Sequence, residues 1–466
     1  MKTYLHNTPE GAEKEKKKVT AVSAVTAFFT TFMGSALNLS IPDIGKEFRA
    51  DTFSLSWVVT IYLLACTALA VPFGKVADAV DRKKIFITGI FVFMVSSAAA
   101  AASPGLSMLL ALRLVQGTGA AMIFSTGTAM VAAVSEADEQ GKLLGYVTGA
   151  NYLGLSAGPA AGGMLTAGPG WRFIFLTAAA VSAAAFFFAL RNLPPGRKHQ
   201  DRKIRFRRKI YPHVSDFILY IFGISGFMWG LSALQKTAAG WISLTAGAGA
   251  LLFLFFRNPC EIIRNPSFLS GNVSAFCNYG ANFAMSYLLS LYLQLVAGCS
   301  SRISGLVLIC APAVQALLSP VTGHMSDWIS PWKLAASGTA VTAVVLAGFG
   351  FLPSDASPGT CAALFAAAGL GCSCFAAPNT RQVLSSAGMN AGGTASAVLS
   401  TMRSAGHTAA MAVNSLLSGI LTGNCMLEDA DPAVLLHFLH SAFFLFSALC
   451  IFGCIFGFFM ARKEKM

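Results

Sequence analysis

The stretch Gly145–Gly163 reads GYVTGANYLGLSAGPAAGG, with glycine at 145, 149, 154, 158, 162 and 163 and Pro159 directly after the fourth. Glycine costs roughly 1 kcal/mol per site in the interior of an exposed helix, so a water-soluble helix would not carry six in so apolar a run. In a bilayer that cost is offset. Small residues spaced by four let helix backbones approach closely, and neighbouring helices re-satisfy groups freed by proline. The plain reading is a small-residue packing helix, but the spacing G-x8-G-x3-GP-x2-GG is more specific than packing alone requires.

Composition sets the class around this stretch. Hydrophobic residues make up 55% of the 466 and charged residues only 11%, with 37 phenylalanines and a mean hydropathy of +0.64; no water-soluble chain of this size shows such a balance. A membrane-spanning helix needs about 20 mostly apolar residues. Fourteen such runs are expected, near 20–42, 55–77, 84–103, 107–134, 141–166, 171–190, 215–234, 239–256, 272–297, 303–326, 332–352, 359–383, 391–421 and 433–460. Beta-barrel spans would be about ten residues with alternating polarity, so the expected class is an all-α multi-pass membrane protein. The first apolar run is too long for a signal peptide and continues without a small-residue cleavage pattern into Asn38 and Pro42.

The net charge of +13 invites a nucleic-acid reading, but the basic residues sit mainly in alternate loops. The stretch Arg191–His213 carries nine Lys or Arg and one acid, and its part near 197–209 is suited to anionic lipid headgroups. By the positive-inside rule the amino arm, the loops near Arg82, Arg197, Arg257, Lys333 and Arg381, and the tail share the cytoplasmic side. Lys46, Arg49, Lys236 and Arg302 are exceptions on the outer side. The eleven cysteines are mostly in apolar runs and form no CxxC pair, so they read as inert small apolar residues. Cys299, Cys361 and Cys425 fall on or near outer loops, where a disulfide is conceivable.

The chain also repeats itself. Gly74-Lys-Val-Ala-Asp78 leads on to Lys84, and Gly323-His-Met-Ser-Asp327 leads on to Lys333; in both, Asp follows Gly by four and Lys follows it by ten. A parallel repeat of two six-span halves around a midplane site is one way secondary transporters are built. The expected organisation is a short disordered cytoplasmic arm 1–19, a six-helix bundle 20–190, a polybasic loop 191–214, two inserted helices 215–257, a second bundle 258–460 and a basic tail 461–466.

These motifs resemble the major facilitator superfamily, and within it the fourteen-span drug/proton antiporter branch. Gly145, Gly154, Gly158, Pro159, Gly162 and Gly163 match the exporters' fifth-span antiporter motif. Gly74–Lys84 resembles the inner-loop signature, with Asp81 where glycine is usual; the resemblance assigns Asp78 and Arg82, and more weakly Asp327, to gating. Arg113, Gln116, Gly117 and Gly119 match the fourth-span R-x-x-Q-G-x-G motif, which the resemblance associates with proton coupling; the plainer alternative is that Arg113 snorkels to the interface. Further matches are WVVTIYLLA at 57–65, WRFIF at 171–175, SLYLQ at 290–294 and the Asn265-Pro266 junction. The resemblance implies fourteen helices as six plus two plus six, cytoplasmic termini, a plasma- or inner-membrane location, a monomer and no cofactor.

One departure bears on substrate. The family's first-span pattern places an Asp where this chain has Met33, while Asn38 and Pro42 are kept. No Asp or Glu lies deep within any expected span; Asp43, Asp78, Asp216 and Asp327 are near ends. An unpaired cation in a low-dielectric cavity is penalised by several kcal/mol, so cationic substrates are disfavoured. The thirteenth span instead carries Arg403, His407 and Asn414 near one face, continued by Met411. With Arg113 they favour neutral or anionic substrates, and His407 is a candidate proton carrier. The competing reading of this stripe is hydrogen bonding between helices. Asn38, Asn151, Asn282 and Gln294 are further candidates for the substrate cavity.

The leading expectation is therefore a proton-driven exporter of small amphipathic compounds, with a small molecule, protons and membrane lipids as partners. An uncoupled facilitator or metabolite importer, made easier by Met33, stands second, and a receptor or scaffold without transport third. No Walker lysine motif, nucleophile-and-base constellation or metal cluster suggests an enzyme.

Overall fold

In the computed structural model the described residues are 9–49, 52–193, 214–233, 238–257, 265–388, 391–422 and 431–463. They form fifteen α-helices and no strand. In chain order these are α1 (Pro9–Ala36), α2 (Ile41–Phe48), α3 (Thr52–Ala79), α4 (Arg82–Ala101), α5 (Leu106–Val134), α6 (Gln140–Ala167) and α7 (Arg172–Asn192), then α8 (Val214–Ala233) and α9 (Ala238–Arg257), then α10 (Pro266–Leu291), α11 (Ser301–Trp328), α12 (Pro331–Phe349), α13 (Pro358–Ala387), α14 (Gly392–Thr422) and α15 (Pro432–Lys463). A 3-10 turn, Leu37–Ser40, joins α1 to α2, and a π turn, Tyr292–Val296, ends α10.

Nine of these helices are long and apolar enough to cross a membrane. The short α2, the two expected inserted helices α8 and α9, and α6, α10 and α14 fall outside that count. In the last three, hydropathy is diluted by glycines in α6 and by Asn, Ser, Arg and His in α10 and α14. Large apolar side chains such as Phe222, Leu317, Val344 and Ile420 stand well exposed, an arrangement that lipid solvates and water would not.

Residues 9–19 differ from the expected irregular arm, because α1 already starts at Pro9. Two pairs four apart, Glu10 with Lys14 and Glu13 with Lys17, line one side of its first turns. Lys16, only 13% exposed, also reaches Glu136 at 2.7 Å and Glu139 at 2.5 Å. The polybasic residues 194–213, together with Lys236 and Cys425, lie outside the described residues. Cys299 and Cys361 are free thiols.

The chain divides into two compact units. The first comprises Met1–Ile218 with Gly323–Asp327 and Ala387–Thr401; the second comprises Leu219–Thr322, Trp328–Ser386 and Met402–Met466. In the first, α1 packs mainly on α6, α3 and α4 both pack on α5, and α7 lies against α4 and α1. In the second, α15 packs on α10 and α12, and Leu288, Leu289, Leu346, Phe349, Phe365 and Phe438 are fully buried in one core.

Helix starts follow local sequence. Asn265 caps α10 by accepting from the Ser267 and Phe268 amides, with Pro266 at the first helical position. Asp81 caps α4 by accepting from Lys83 N at 3.1 Å, in an extended conformation open to any residue. That role explains why an Asp can stand where the family signature has glycine.

Candidate functional site

A buried guanidinium organises the first unit. Arg113 on α5 is fully buried, so it does not snorkel. Its Nε donates to the Val58 carbonyl at 2.8 Å, its Nη1 to Gln116 Oε1 at 2.6 Å, and its Cζ lies 4.2 Å from the centre of the Tyr62 ring. Gln116 in turn donates to Ser97 Oγ at 2.6 Å. Among the described residues Arg113 Nη2 has no hydrogen-bond partner. The glycines of the same motif make this possible. A Cβ on Gly117 would lie 2.5 Å from the Tyr62 carbonyl oxygen on α3, and one on Gly119 would lie 2.8 Å from the Gly89 carbonyl oxygen on α4. The R-x-x-Q-G-x-G pattern thus seats α5 on two neighbours at once and hangs its polar groups between them. Tyr62 extends the link to α1 by donating to the Thr30 carbonyl at 2.9 Å.

The glycine-rich face of α6 lies directly on α1. A methyl group on Gly154 would strike the Phe28 carbonyl oxygen and Thr31 Oγ1, one on Gly158 would strike Ser35 Oγ, and one on Gly162 would strike the Ala36 backbone. Thr31 Oγ1 also donates to the Asn151 carbonyl at 3.0 Å. Gly145, one face further on, meets Gly323, while Gly163 is half-buried. The side chains of Pro159 and Asn38 are outside the described ones. Met33, in the position of the family's Asp, is fully buried.

Two carboxylates hold helix starts within the first unit. Asp78, one residue before the end of α3, takes the Gly393 amide on Oδ1 at 2.8 Å and the Thr394 amide and hydroxyl on Oδ2 at 2.7 and 2.9 Å. Arg82 pairs with its Oδ1 through Nε and Nη2. Asp327, one residue before the end of α11, takes the Gly141 amide at 2.7 Å and the Lys142 amide at 3.0 Å. The first amides of a helix have no acceptor in their own helix and carry the positive end of its dipole. Each Asp therefore caps the start of a distant helix, α14 in one case and α6 in the other.

At the far end of α1, Glu47 on α2 accepts from Trp171 Nε1 at 2.8 Å and Arg172 Nη1 at 2.7 Å. Arg172 also donates to the Ser103 carbonyl and lies over the Trp171 ring, 4.4 Å from its centre. The Arg172 guanidinium, with the indole N–H, holds the Glu47 carboxyl below the usual carboxylate range. Sequence reading singled out WRFIF but missed Glu47, whose partners lie more than a hundred residues away.

In the second unit α10 and α14 cross with their backbones in contact: a Cβ on Gly406 would lie 2.5 Å from the Phe276 carbonyl oxygen, and one on Gly280 2.9 Å from that of Gly406. The crossing brings Tyr279 and Phe283 beside Arg403 and His407. The His407 ring stacks on Phe283 at 4.7 Å and 20°, and stands edge-on to Tyr279 at 6.2 Å. Arg403 Cζ lies 5.0 Å from the Tyr279 ring centre. Among the described residues, Arg403 Nε and both polar atoms of the buried Asn414 have no hydrogen-bond partner. Asn282 donates to Cys372 Sγ. Gln294 sits apart, exposed in the π turn and bonded to Ser290. Tyr279 and Phe283 were not anticipated; their four-residue spacing on an apolar helix is indistinguishable from core packing.

Apolar helices seated on one another through glycine, a buried guanidinium with no acid beside it among the described residues, and a repeated carboxylate cap at two helix ends define a polytopic membrane transport protein. The chain belongs to the Major Facilitator Superfamily, whose profile it matches over residues 23–411; it is a multi-pass membrane protein of a family of transporters rather than enzymes. It is 25% identical to the riboflavin transporter RibZ of Clostridioides difficile over 97% of this chain and 98% of that one. It is 26% identical to the multidrug resistance protein Stp of Mycobacterium tuberculosis over 89% of this chain and 79% of the relative. The crystal structure of the human organic anion transporter MFSD10 (TETRAN) has the same fold, with a TM-score of 0.68, 13% identity, and coverage of 95% of this chain and 99% of that one.

Proposed function

We propose that the protein is a secondary-active exporter of small amphipathic compounds, coupled to protons and working by alternating access. Its fourteen spans would run as six plus two plus six with both termini cytoplasmic, as a monomer in the plasma or inner membrane. The observation that carries this reading is the α6–α1 seam. Gly154, Gly158 and Gly162 bring two helix backbones together with only the small side chains of Thr31 and Ser35 in the seam, a joint along which α6 can slide or tilt with little steric resistance. The multidrug resistance protein among its relatives supports efflux.

Neutral or anionic substrates are favoured. Among the described residues no Asp or Glu lies in the middle of a helix, Met33 fills the position of the family's acid, and Arg113 and Arg403 contribute positive charge. Arg113 and His407 are assigned to coupling, with Asp78, Arg82 and Asp327 as gating residues. Asn38, Asn151, Asn282, Gln294 and Asn414 are cavity candidates. A second reading, an uncoupled facilitator or importer of a metabolite, is favoured by Met33 and by the riboflavin transporter among the relatives.

The test is proton movement in reconstituted vesicles holding an internal pH dye, challenged with neutral, anionic and cationic amphipaths. Substrate-linked proton flux in the wild type, lost in Arg113→Ala or His407→Ala, supports antiport. Transport down a gradient with no proton signal, unchanged in His407→Ala, leaves the facilitator.

A further inference from the structure

The α10–α14 crossing holds groups that the fold does not use up. Gly280 and Gly406 bring the two backbones into contact, which already joins the helices. Yet beside that contact the second unit collects an aromatic pair, a guanidinium and an amide. One face of the Phe283 ring is covered by His407, while the residue as a whole remains 43% exposed. Asn414 is 1% exposed, and among the described residues neither its donor nor its acceptor is satisfied. A buried polar group without a partner costs free energy, so an amide kept in that state is a group waiting for one. Arg403 Nε is likewise buried and unpartnered, and no carboxylate pairs with Arg403 among the described residues.

The order of these groups along α14 is informative. At 1.5 Å per residue, Arg403 lies about 6 Å from His407 along the axis, and Asn414 about 10 Å beyond it in the other direction. All three are on one side of the helix, since four and seven residues return to nearly the same face. A ligand lying along this face would meet positive charge, then an aromatic surface, then an amide offering one donor and one acceptor.

We propose that this face of the second unit is a binding subsite for an elongated planar aromatic anion. Its flat ring extends the His407–Phe283 stack, its anionic group sits on Arg403, and a hydroxyl or ring heteroatom at its far end engages Asn414. The proposal rests on the transport reading for its purpose but names the substrate class from these residues. A flat ring is selected over an aliphatic one because an offset stack on Phe283 adds attraction beyond area burial, worth roughly two- to tenfold in affinity. An anion is selected because the guanidinium, already lying over the Tyr279 ring, has no acid to neutralise it.

The test is equilibrium binding to the full-length chain in lipid nanodiscs, with 6-hydroxy-2-naphthoate as the probe. Three relatives of the probe isolate its features: the decahydro form, which keeps the charge and loses the ring; 2-naphthoate, which lacks the hydroxyl; and the aminomethyl analogue, which is a cation. Wild type should bind 6-hydroxy-2-naphthoate best. Phe283→Leu should abolish the preference over the decahydro acid, Arg403→Gln the preference over the cation, and Asn414→Leu the preference over 2-naphthoate. Phe283→Tyr should restore the ring preference, which guards against a Phe283→Leu variant that merely misfolds. Equal affinity of wild type for the flat and saturated acids, or no binding of either at millimolar concentration, overturns the proposal. The assay involves neither protons nor direction, so a lost proton signal with ring-selective binding retained would sink the antiport reading alone.

Discussion

Replacing Asp78 by Asn tests the helix-start clamp with almost no change of shape. Asp78 Oδ1 faces two donors, the Gly393 amide and the Arg82 guanidinium, and Oδ2 faces the amide and hydroxyl of Thr394. An asparagine has one oxygen to offer. Its better orientation keeps that oxygen toward Gly393 and Arg82 and turns its NH2 toward Thr394, whose hydroxyl can rotate to accept but whose amide cannot. One backbone amide is then left against a donor, at about 1–3 kcal/mol, and the surviving bonds lose their charge assistance. The net weakening is about 2–3 kcal/mol, roughly a 30- to 150-fold shift in the opening equilibrium of the first turn of α14. Hydrogen–deuterium exchange of the full chain in nanodiscs reads this directly, because first-turn amides depend on the cap for protection. In Asp78→Asn the peptide covering 391–397 should exchange faster while that covering 139–145 does not; in Asp327→Asn the pattern should reverse. Unchanged exchange at 391–397, or equal acceleration of both peptides by either variant, would refute the reasoning.

Two further outcomes follow from single contacts. Gly162→Ala drives a methyl into the Ala36 carbonyl oxygen and should lower the melting temperature through an overpacking cost of about 1–3 kcal/mol, whereas Gly249→Ala, with open space around it, should be neutral. Ser35→Gly should rescue Gly158→Ala, whose obstacle is a side chain, and not Gly162→Ala, whose obstacle is backbone; equal rescue of both would sink this account. The Glu47 cluster should be acid-labile. Its folded-state carboxyl titrates below the ordinary 4.5, so its contribution is fully present above pH 4.5 and is lost as pH falls through that lowered value. The protection factors of the 41–48 amides, which are corrected for the intrinsic pH dependence of exchange, should fall there in wild type but be pH-independent, and already low, in Glu47→Gln; a flat wild-type protection profile counts against it.

How much of this was legible depended on whether the partner was local. Fourteen of the fifteen helices coincide with the expected apolar runs, but α2 was not expected, because IPDIGKEF at 41–48 is short and of mixed polarity and reads as the end of the first run. Arg113 was legible because a guanidinium inside an apolar run must be buried with partners or reach the interface, and Gln116, one of those partners, lies three residues away. The carbonyl of Val58 could not be read, since a backbone oxygen on another helix has no letter in the sequence. The helical start at Pro9 was missed because its charges look like a solvated tail, and the pairing of Lys16 with Glu136 and Glu139 is a tertiary contact. Phe283 was missed because only the neighbouring His407 distinguishes it from ordinary core.

The repeat of Gly and Asp was visible in sequence, and the structure supplies its physical reason. Four residues apart on a helix means one above the other on the same face. Gly74 and Gly323 lie where a Cβ would collide with Gly393 and Gly141 backbone, so each permits the close approach that lets the Asp one turn later reach backbone amides. The partner helices answer with a glycine of their own: a Cβ on Gly393 would lie 2.8 Å from Asp78 Oδ1, and one on Gly141 would lie 2.8 Å from Asp327 Oδ1. A clamp made from a carboxylate and backbone amides thus constrains only three positions, a glycine, an aspartate four later, and a glycine at the capped amide. The surrounding letters are free to differ, as GGT at 392–394 and QGK at 140–142 do. That is why two stretches with so little in common make the same geometry, and why the third position, far away in sequence, could be recognised only once the helices were seen together.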